Sequence, residues 1–97
     1  MRTLKIHLIR HGATDANYDG RYIGCKTDLP LAPEGLNELR LLKDDIDYPE
    51  IERLYSSPML RCRQTGAVLY PDFEPFTVEE LKEYDFGSFE NKTAAEL

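Results

Sequence analysis

Three places in the 97-residue chain put charged or titratable side chains where they could handle an anionic ligand: Arg10-His11-Gly12, the Arg61 that ends Ser56-Ser57-Pro58-Met59-Leu60-Arg61, and Glu83 within Leu81-Lys82-Glu83-Tyr84-Asp85-Phe86-Gly87. Arg10 offers a permanently charged planar fork of donors, and the neighbouring imidazole of His11 has an unperturbed pKa of about 6.5. That pair suits a phosphate, although a tripeptide also arises by chance and a lone histidine is more often packed than reactive. Arg61 draws attention through local energetics. A cation in the first turn of a helix is unfavourable by a few tenths of a kcal/mol, whereas the free N–H groups there attract anions. A bound phosphate would reverse the sign at Arg61; a solvated arginine is the bland alternative. Glu83 and Asp85 lie among aromatic residues, and a carboxyl group beside apolar surface can give up a proton near neutral pH. With 18 acidic residues in the chain, spacing alone does not single out Glu83.

These residues need a scaffold, and the pattern predicts an alternation of strands and helices. Residues 4–9 are rich in aliphatic and β-branched side chains and stop at Gly12, which predicts a largely buried strand with Arg10, His11 and Gly12 at its carboxyl end. In open α/β sheets that end is where ligands bind. Residues 13–32 show no period and carry Asn17, Asp19, Gly20, Gly24, Asp28 and Pro30, predicting a long loop. Pro33 suits a first helical turn, and Leu36, Leu39, Leu42 and Ile46 recur near the helical period up to Pro49. Residues 51–56 read as a short strand, then Ser57-Pro58 as the N-cap and first turn of a second helix through Tyr70, closed by Pro71. A third strand over 73–78 would be an edge strand because Pro75 lacks a ladder donor. Residues 79–97 read as a loop, with a helix beginning near Thr93.

Composition narrows the ligand. Hydrophobic residues at 41% and charged residues at 31% are ordinary for a folded domain. A net charge of -6 opposes binding to nucleic acid or to an acidic membrane surface, while a few arginines in one cleft can still hold a small anion. The apolar runs are far below the roughly 20 residues needed to cross a bilayer, and the amino terminus is unlike a signal peptide. Cytoplasmic location is therefore the default, with Cys25 and Cys62 expected as reduced thiols.

Taken together, four ordered blocks resemble the histidine phosphatase superfamily, which includes cofactor-dependent phosphoglycerate mutases, fructose-2,6-bisphosphatases and α-ribazole phosphatases. Residues 8–17, Leu-Ile-Arg-His-Gly-Ala-Thr-Asp-Ala-Asn, resemble its signature. Arg21-Tyr22-Ile23-Gly24, followed by Asp28, Leu31 and Gly35, is similar to its loop and first helix. Residues 56–65 resemble its second block, and 81–90 its acid loop. The resemblance implies an α/β fold, a phosphoglycerate mutase-like three-layer sandwich with a mostly parallel sheet. It implies phosphoester hydrolysis through a phosphohistidine on His11, with Arg10 and Arg61 neutralising the phosphoryl oxygens and Glu83 as general acid, then base. Arg10, Asn17, Arg21, Gly24 and Arg61 become the expected substrate-binding positions, a small phosphorylated metabolite the expected partner, and neither a metal nor another cofactor is expected. A mutase-type phosphotransferase is the alternative activity, and the short stretch Phe86-Gly87-Ser88-Phe89-Glu90-Asn91-Lys92 is more like the phosphatases.

The chain departs from the pattern at Ala13, where the family usually has Glu, and at Asn91, where it often has Gly. The larger departure is a second histidine, which family members carry near a later strand end. Here the histidines are His7 and His11, and His7 shares the face of Ile9 at strand alternation, as a packed residue would. In the family the strand bearing that histidine lies between the first two strands. The expectation is therefore that residues 1–97 are the amino-terminal part of a single domain whose carboxyl-terminal part is absent, leaving a fold incomplete in this chain. Exposed strand edges would then favour a homodimer or pairing with the missing half, and the chain alone could be an inactive phosphate-binding fragment.

Overall fold

A computed structural model describes residues 3–97. The described residues form three α-helices and two short strands in the order α1 (Asp15–Tyr18), α2 (Pro33–Asp45), β1 (Tyr55–Ser56), α3 (Leu60–Leu69) and β2 (Phe76–Thr77), followed by three single turns of 3₁₀ helix. β1 and β2 pair in parallel, Tyr55 opposite Phe76 and Ser56 opposite Thr77. The ladder is set by Phe76 N–H donating to Leu54 O and Val78 N–H to Ser56 O, both at 2.8 Å. Pro75 sits just before the paired residues, where its missing donor costs nothing.

Helices α2 and α3 pack on each other, and α3 also lies against β1. The core between them is small: Leu31, Ala32, Leu39, Met59 and Leu69 are its buried apolar members, with Ala16 of α1 buried nearby. Pro33 starts α2 as expected, since its lost N–H would have had no partner in the first turn. The helix ends at Asp45, short of Pro49, and Leu42 and Ile46 are exposed, so only the first half of the predicted apolar face is packed. Gly35 lets α2 approach Ala13 so closely that a Cβ there would overlap the Ala13 carbonyl.

The main correction concerns residues 4–9. Among the described residues they pair with no strand, and they lie exposed, Leu8 at 92%. An apolar run becomes a buried strand only where a neighbour supplies both a ladder and a covering face, and among the described residues the sheet consists of β1 and β2, with residues 4–9 joined to neither. His7 is exposed with the rest of the segment, not packed. Two smaller corrections follow. The strand predicted over 51–56 shortens to Tyr55–Ser56, and α3 begins at Leu60 instead of at Pro58. Ser57 still serves the helix start, its Oγ accepting from Met59 N–H at 3.2 Å. The long loop 13–32 contains a short helix, α1, closed by a reciprocal cap between Thr14 and Asn17. The helix start near Thr93 is a single 3₁₀ turn, Ala94–Glu96, whose cap is the Thr93 side chain.

The contact at Gly35 makes a signed prediction. Glycine to alanine in a helix normally stabilises by roughly 0.5–1 kcal/mol. In Gly35→Ala the overlap with Ala13 should dominate and destabilise by about 1–3 kcal/mol. Thermal unfolding should show a Tm lower by several degrees; a higher Tm would mean that the Ala13 carbonyl yields without cost.

Candidate active site

The segment carrying His11 joins the folded body at Gly12. Its N–H donates to Thr65 Oγ1 at 2.9 Å, and Thr65 Oγ1–H donates in turn to the Arg61 carbonyl at 2.7 Å. Arg61 and Thr65 are one turn apart on α3, so this relay links the histidine segment to the backbone of Arg61. A side chain at position 12 would require the Leu39 side chain to shift, because its Cβ would lie 2.7 Å from Leu39 Cδ1 and 3.2 Å from Leu31 Cδ2. His11 is half-buried, and its Nδ1 is 2.6 Å from the Gly12 carbonyl. A carbonyl oxygen only accepts, so the hydrogen bond calls for the proton on Nδ1, and in the neutral imidazole Nε2 then carries the lone pair.

Arg61 is the largest fully buried side chain, 1% exposed. Its guanidinium donates from Nη1 to Thr27 O at 2.9 Å and from Nη2 to Gly24 O at 3.3 Å. Among the described residues no carboxylate lies within ion-pair distance of it; the ion pairs are Arg21–Glu96 and Lys82–Glu79. Dipoles therefore orient this cation without neutralising it. The loop that supplies them is fastened to α3 twice more: Leu60 N–H donates to Asp28 Oδ1 at 2.7 Å, and Leu31 N–H to Gln64 Oε1 at 2.7 Å. Asp28 is thus the cap that α3 lacks in its own sequence, since Met59 at the N-cap position has no capping oxygen.

Asn17 Oδ1 accepts from Thr14 N–H at 2.9 Å and from Thr14 Oγ1 at 3.1 Å. This engagement fixes the amide plane, and the Nδ2 donors have no protein acceptor among the described residues. Gly24 is buried with both backbone groups taken inside the protein, its carbonyl by Arg61 and its N–H by Glu90. Arg21 Nη1 donates to Asn91 O at 2.9 Å and pairs with Glu96 at 3.0 Å. Arg10 and Glu83 are exposed and have no hydrogen-bond partner among the described residues. Glu83 nevertheless sits beside the loop that holds Arg61, since the carbonyl of the next residue, Tyr84, accepts from Cys25 N–H at 3.2 Å. Lys82, its other neighbour, is paired with Glu79 at 2.9 Å and so is not drawn toward Glu83.

Burial pushes the Cys62 thiol up from its ordinary range, helped by the charges of Glu83 and Asp28 and opposed by a Ser57 hydrogen bond and the Arg61 charge. The thiol therefore stays neutral beside Arg61 and adds no competing anion. Two surface hollows lie elsewhere. One of about 480 Å³ is lined by Asp15, Tyr18, Asp19 and Glu34, and its acidic wall would repel an anion. The other, about 470 Å³, lies between the end of α2 and the end of α3. Neither includes His11 or Arg61.

The structure thus joins His11, Gly12 and Arg61 through Thr65, and brings the Glu83 loop against the Gly24 loop. Arg10 and Arg21 remain outside this network. Thr65, Asp28 and Thr27 had been given no role from sequence. Thr65 has a signal in its i+4 spacing from Arg61, whereas the N-cap read at Ser57 conceals the need for Asp28.

Residues 6–97 match the histidine phosphatase superfamily (branch 1). The adenosylcobalamin/α-ribazole phosphatase of Salmonella typhimurium is 28% identical over 96 residues, which cover 97% of this chain and 47% of that protein. A crystal structure of phosphoserine phosphatase with 3-phosphoglyceric acid from Entamoeba histolytica superposes with a TM-score of 0.78 at 34% identity, covering 89% of this chain and 43% of that one. Phosphoglycerate mutase from Thermus thermophilus superposes with a TM-score of 0.75 at 39% identity, covering 91% and 48% respectively. The chain therefore spans about half the length of the curated relatives it matches, and its mixed helices and small parallel sheet correspond to part of a phosphoglycerate mutase-like α/β fold. With the match running through the His11 segment, the Arg61 helix and the Glu83 loop alike, the chain belongs to the histidine phosphatase superfamily.

Proposed function

We propose that this chain carries the nucleophile half of a phosphomonoesterase site that cleaves a small phosphorylated metabolite through a phosphohistidine. One observation carries the reading: Arg61 is a fully buried guanidinium that, among the described residues, is held only by carbonyls. Burying an unpaired cation costs several kcal/mol, and a phosphoryl group is the ligand that would offset it with charge and bidentate geometry. His11 fits the same chemistry, since its Nδ1 hydrogen bond leaves Nε2 free to attack.

In the first step Nε2 attacks phosphorus, the N–P bond forms and the ester P–O bond breaks. Glu83 gives its proton to the departing alkoxide, and the product alcohol leaves. In the second step Glu83, now a carboxylate, takes a proton from water as its oxygen attacks phosphorus; the N–P bond breaks, and inorganic phosphate and neutral His11 result. Arg61 and Arg10 counter the charge on the equatorial oxygens, the usual source of rate in such transfers. The Asn17 Nδ2 donors and Arg21 complete the proposed binding set, and Gly24 contributes by orienting Arg61. A mutase reading is favoured by the likeness to the Thermus phosphoglycerate mutase, and a hydrolase by the short stretch 86–92. The fate of the phosphoryl group, transferred to water or to a second phosphorylated molecule, separates them.

Incubation with a ³²P-labelled phosphomonoester should leave acid-labile, alkali-stable label on the protein, and His11→Ala should abolish it; equal labelling of the variant would sink the reading. Arg61→Ala should weaken phosphate binding at least tenfold, measured by calorimetry. Glu83→Gln should still accept label while turnover falls by roughly 10²–10⁴, the usual contribution of a general acid. Saturable phosphate binding with no label on His11 would instead identify a binding module without turnover.

A further inference from the structure

We infer that Glu90 is a positioning residue for Arg61, acting through the 24–27 loop. Its carboxylate accepts from Gly24 N–H with both oxygens, at 2.9 and 3.1 Å, and from Thr27 Oγ1 at 2.5 Å. Gly24 and Thr27 are the two residues whose carbonyls hold the Arg61 guanidinium. One carboxylate thus gathers the donors of the same two residues whose acceptors orient the cation. Among the described residues no ion pair joins Glu90 to Arg61.

The separation has a chemical purpose. A carboxylate placed directly on the guanidinium would hold it equally well but would cancel the charge that an anion must find there. Placed behind the loop, Glu90 contributes charge-assisted hydrogen bonds that fix two carbonyls, while the cation stays uncompensated. Its own position is set by the turn that follows it. Asn91 adopts φ 62°, its N–H donates to Tyr22 O at 2.7 Å, and Tyr22 N–H donates to Lys92 O at 3.0 Å. Loss of the Glu90 acceptors would strand the buried Gly24 N–H, and the loop would shift to satisfy it. The consequence for anion binding rests on the phosphohistidine reading; the coupling of Glu90 to Arg61 does not.

The test is Glu90→Gln in the 97-residue chain, which keeps shape but turns one acceptor into a donor facing Gly24 N–H or Thr27 Oγ1–H. Without ligand, the Arg61 Nη–H resonances should be resolved and slowly exchanging in the parent, and should broaden or collapse in the variant. Unchanged Arg61 signals would overturn the coupling. Orthovanadate should bind about tenfold more weakly to Glu90→Gln, and Glu90→Gln with Arg61→Ala no more weakly than Arg61→Ala alone. Fully additive losses would reduce Glu90 to a general structural support and overturn the proposal. Should Glu90→Gln fail to fold, Thr27→Val removes one of the gathered donors and should alter the same Arg61 signals to a lesser degree; no alteration would again overturn it. If vanadate does not bind and His11 takes no label while the Arg61 signals collapse as stated, the phosphatase reading fails and the coupling stands.

Discussion

Everything around the site depends on a cation buried without a counter-ion. A guanidinium removed from water needs acceptors, and Arg61 finds two of them in carbonyls of a loop more than thirty residues earlier in the chain. That requirement dictates much of the surrounding structure. The loop must be pinned at Asp28 and Leu31 by α3 itself, gathered from behind by Glu90, and closed against the Glu83 loop at Tyr84. The helix that carries Arg61 must also hold the histidine segment, and it does so with a threonine one turn on. A single α-helix thus carries the cation and, one turn on along the same face, the threonine that holds the His11 segment.

The candidate site residues are legible through four ordered blocks taken together; Arg61 in a first helical turn is only weakly anomalous alone, and burial enlarges the anomaly. Pro33 and the apolar period behind it located α2, because a helix start and a core face are local properties. Residues 4–9 were misread for the opposite reason: whether an apolar run is a buried strand is decided by its neighbours in space, and those are not encoded in the run. Asn17 looked like a ligand-facing residue in an aperiodic loop, and its carbonyl turns out to close a four-residue helix that aperiodicity concealed. Glu90 was hidden among 18 acidic residues, since only the fold shows which donors it meets.

The departures at positions 13 and 91 also acquire physical content. Ala13 lies under Gly35, where its backbone is the packing surface and its carbonyl accepts from Ala32 N–H at 2.9 Å. Asn91 stands in left-handed backbone, the region in which asparagine is the best tolerated residue after glycine. A glycine-to-asparagine exchange at such a site keeps the turn, and with it the pairing of residues 22 and 91 that carries Glu90 to the Gly24 loop.

The cap that Asp28 lends to α3 reaches across 32 residues. A ten-residue helix with no capping side chain of its own has little tendency to form alone in water. Its first turn is completed by Asp28 of the 24–31 loop, and that loop is held in part by the same helix. Helix and loop are therefore coupled, and opening one removes hydrogen bonds from the other. For an anion site this joins recognition to folding. A ligand that grips Arg61 would raise the opening free energy of the whole unit, so occupancy could be read in the hydrogen exchange of amides that never touch the ligand.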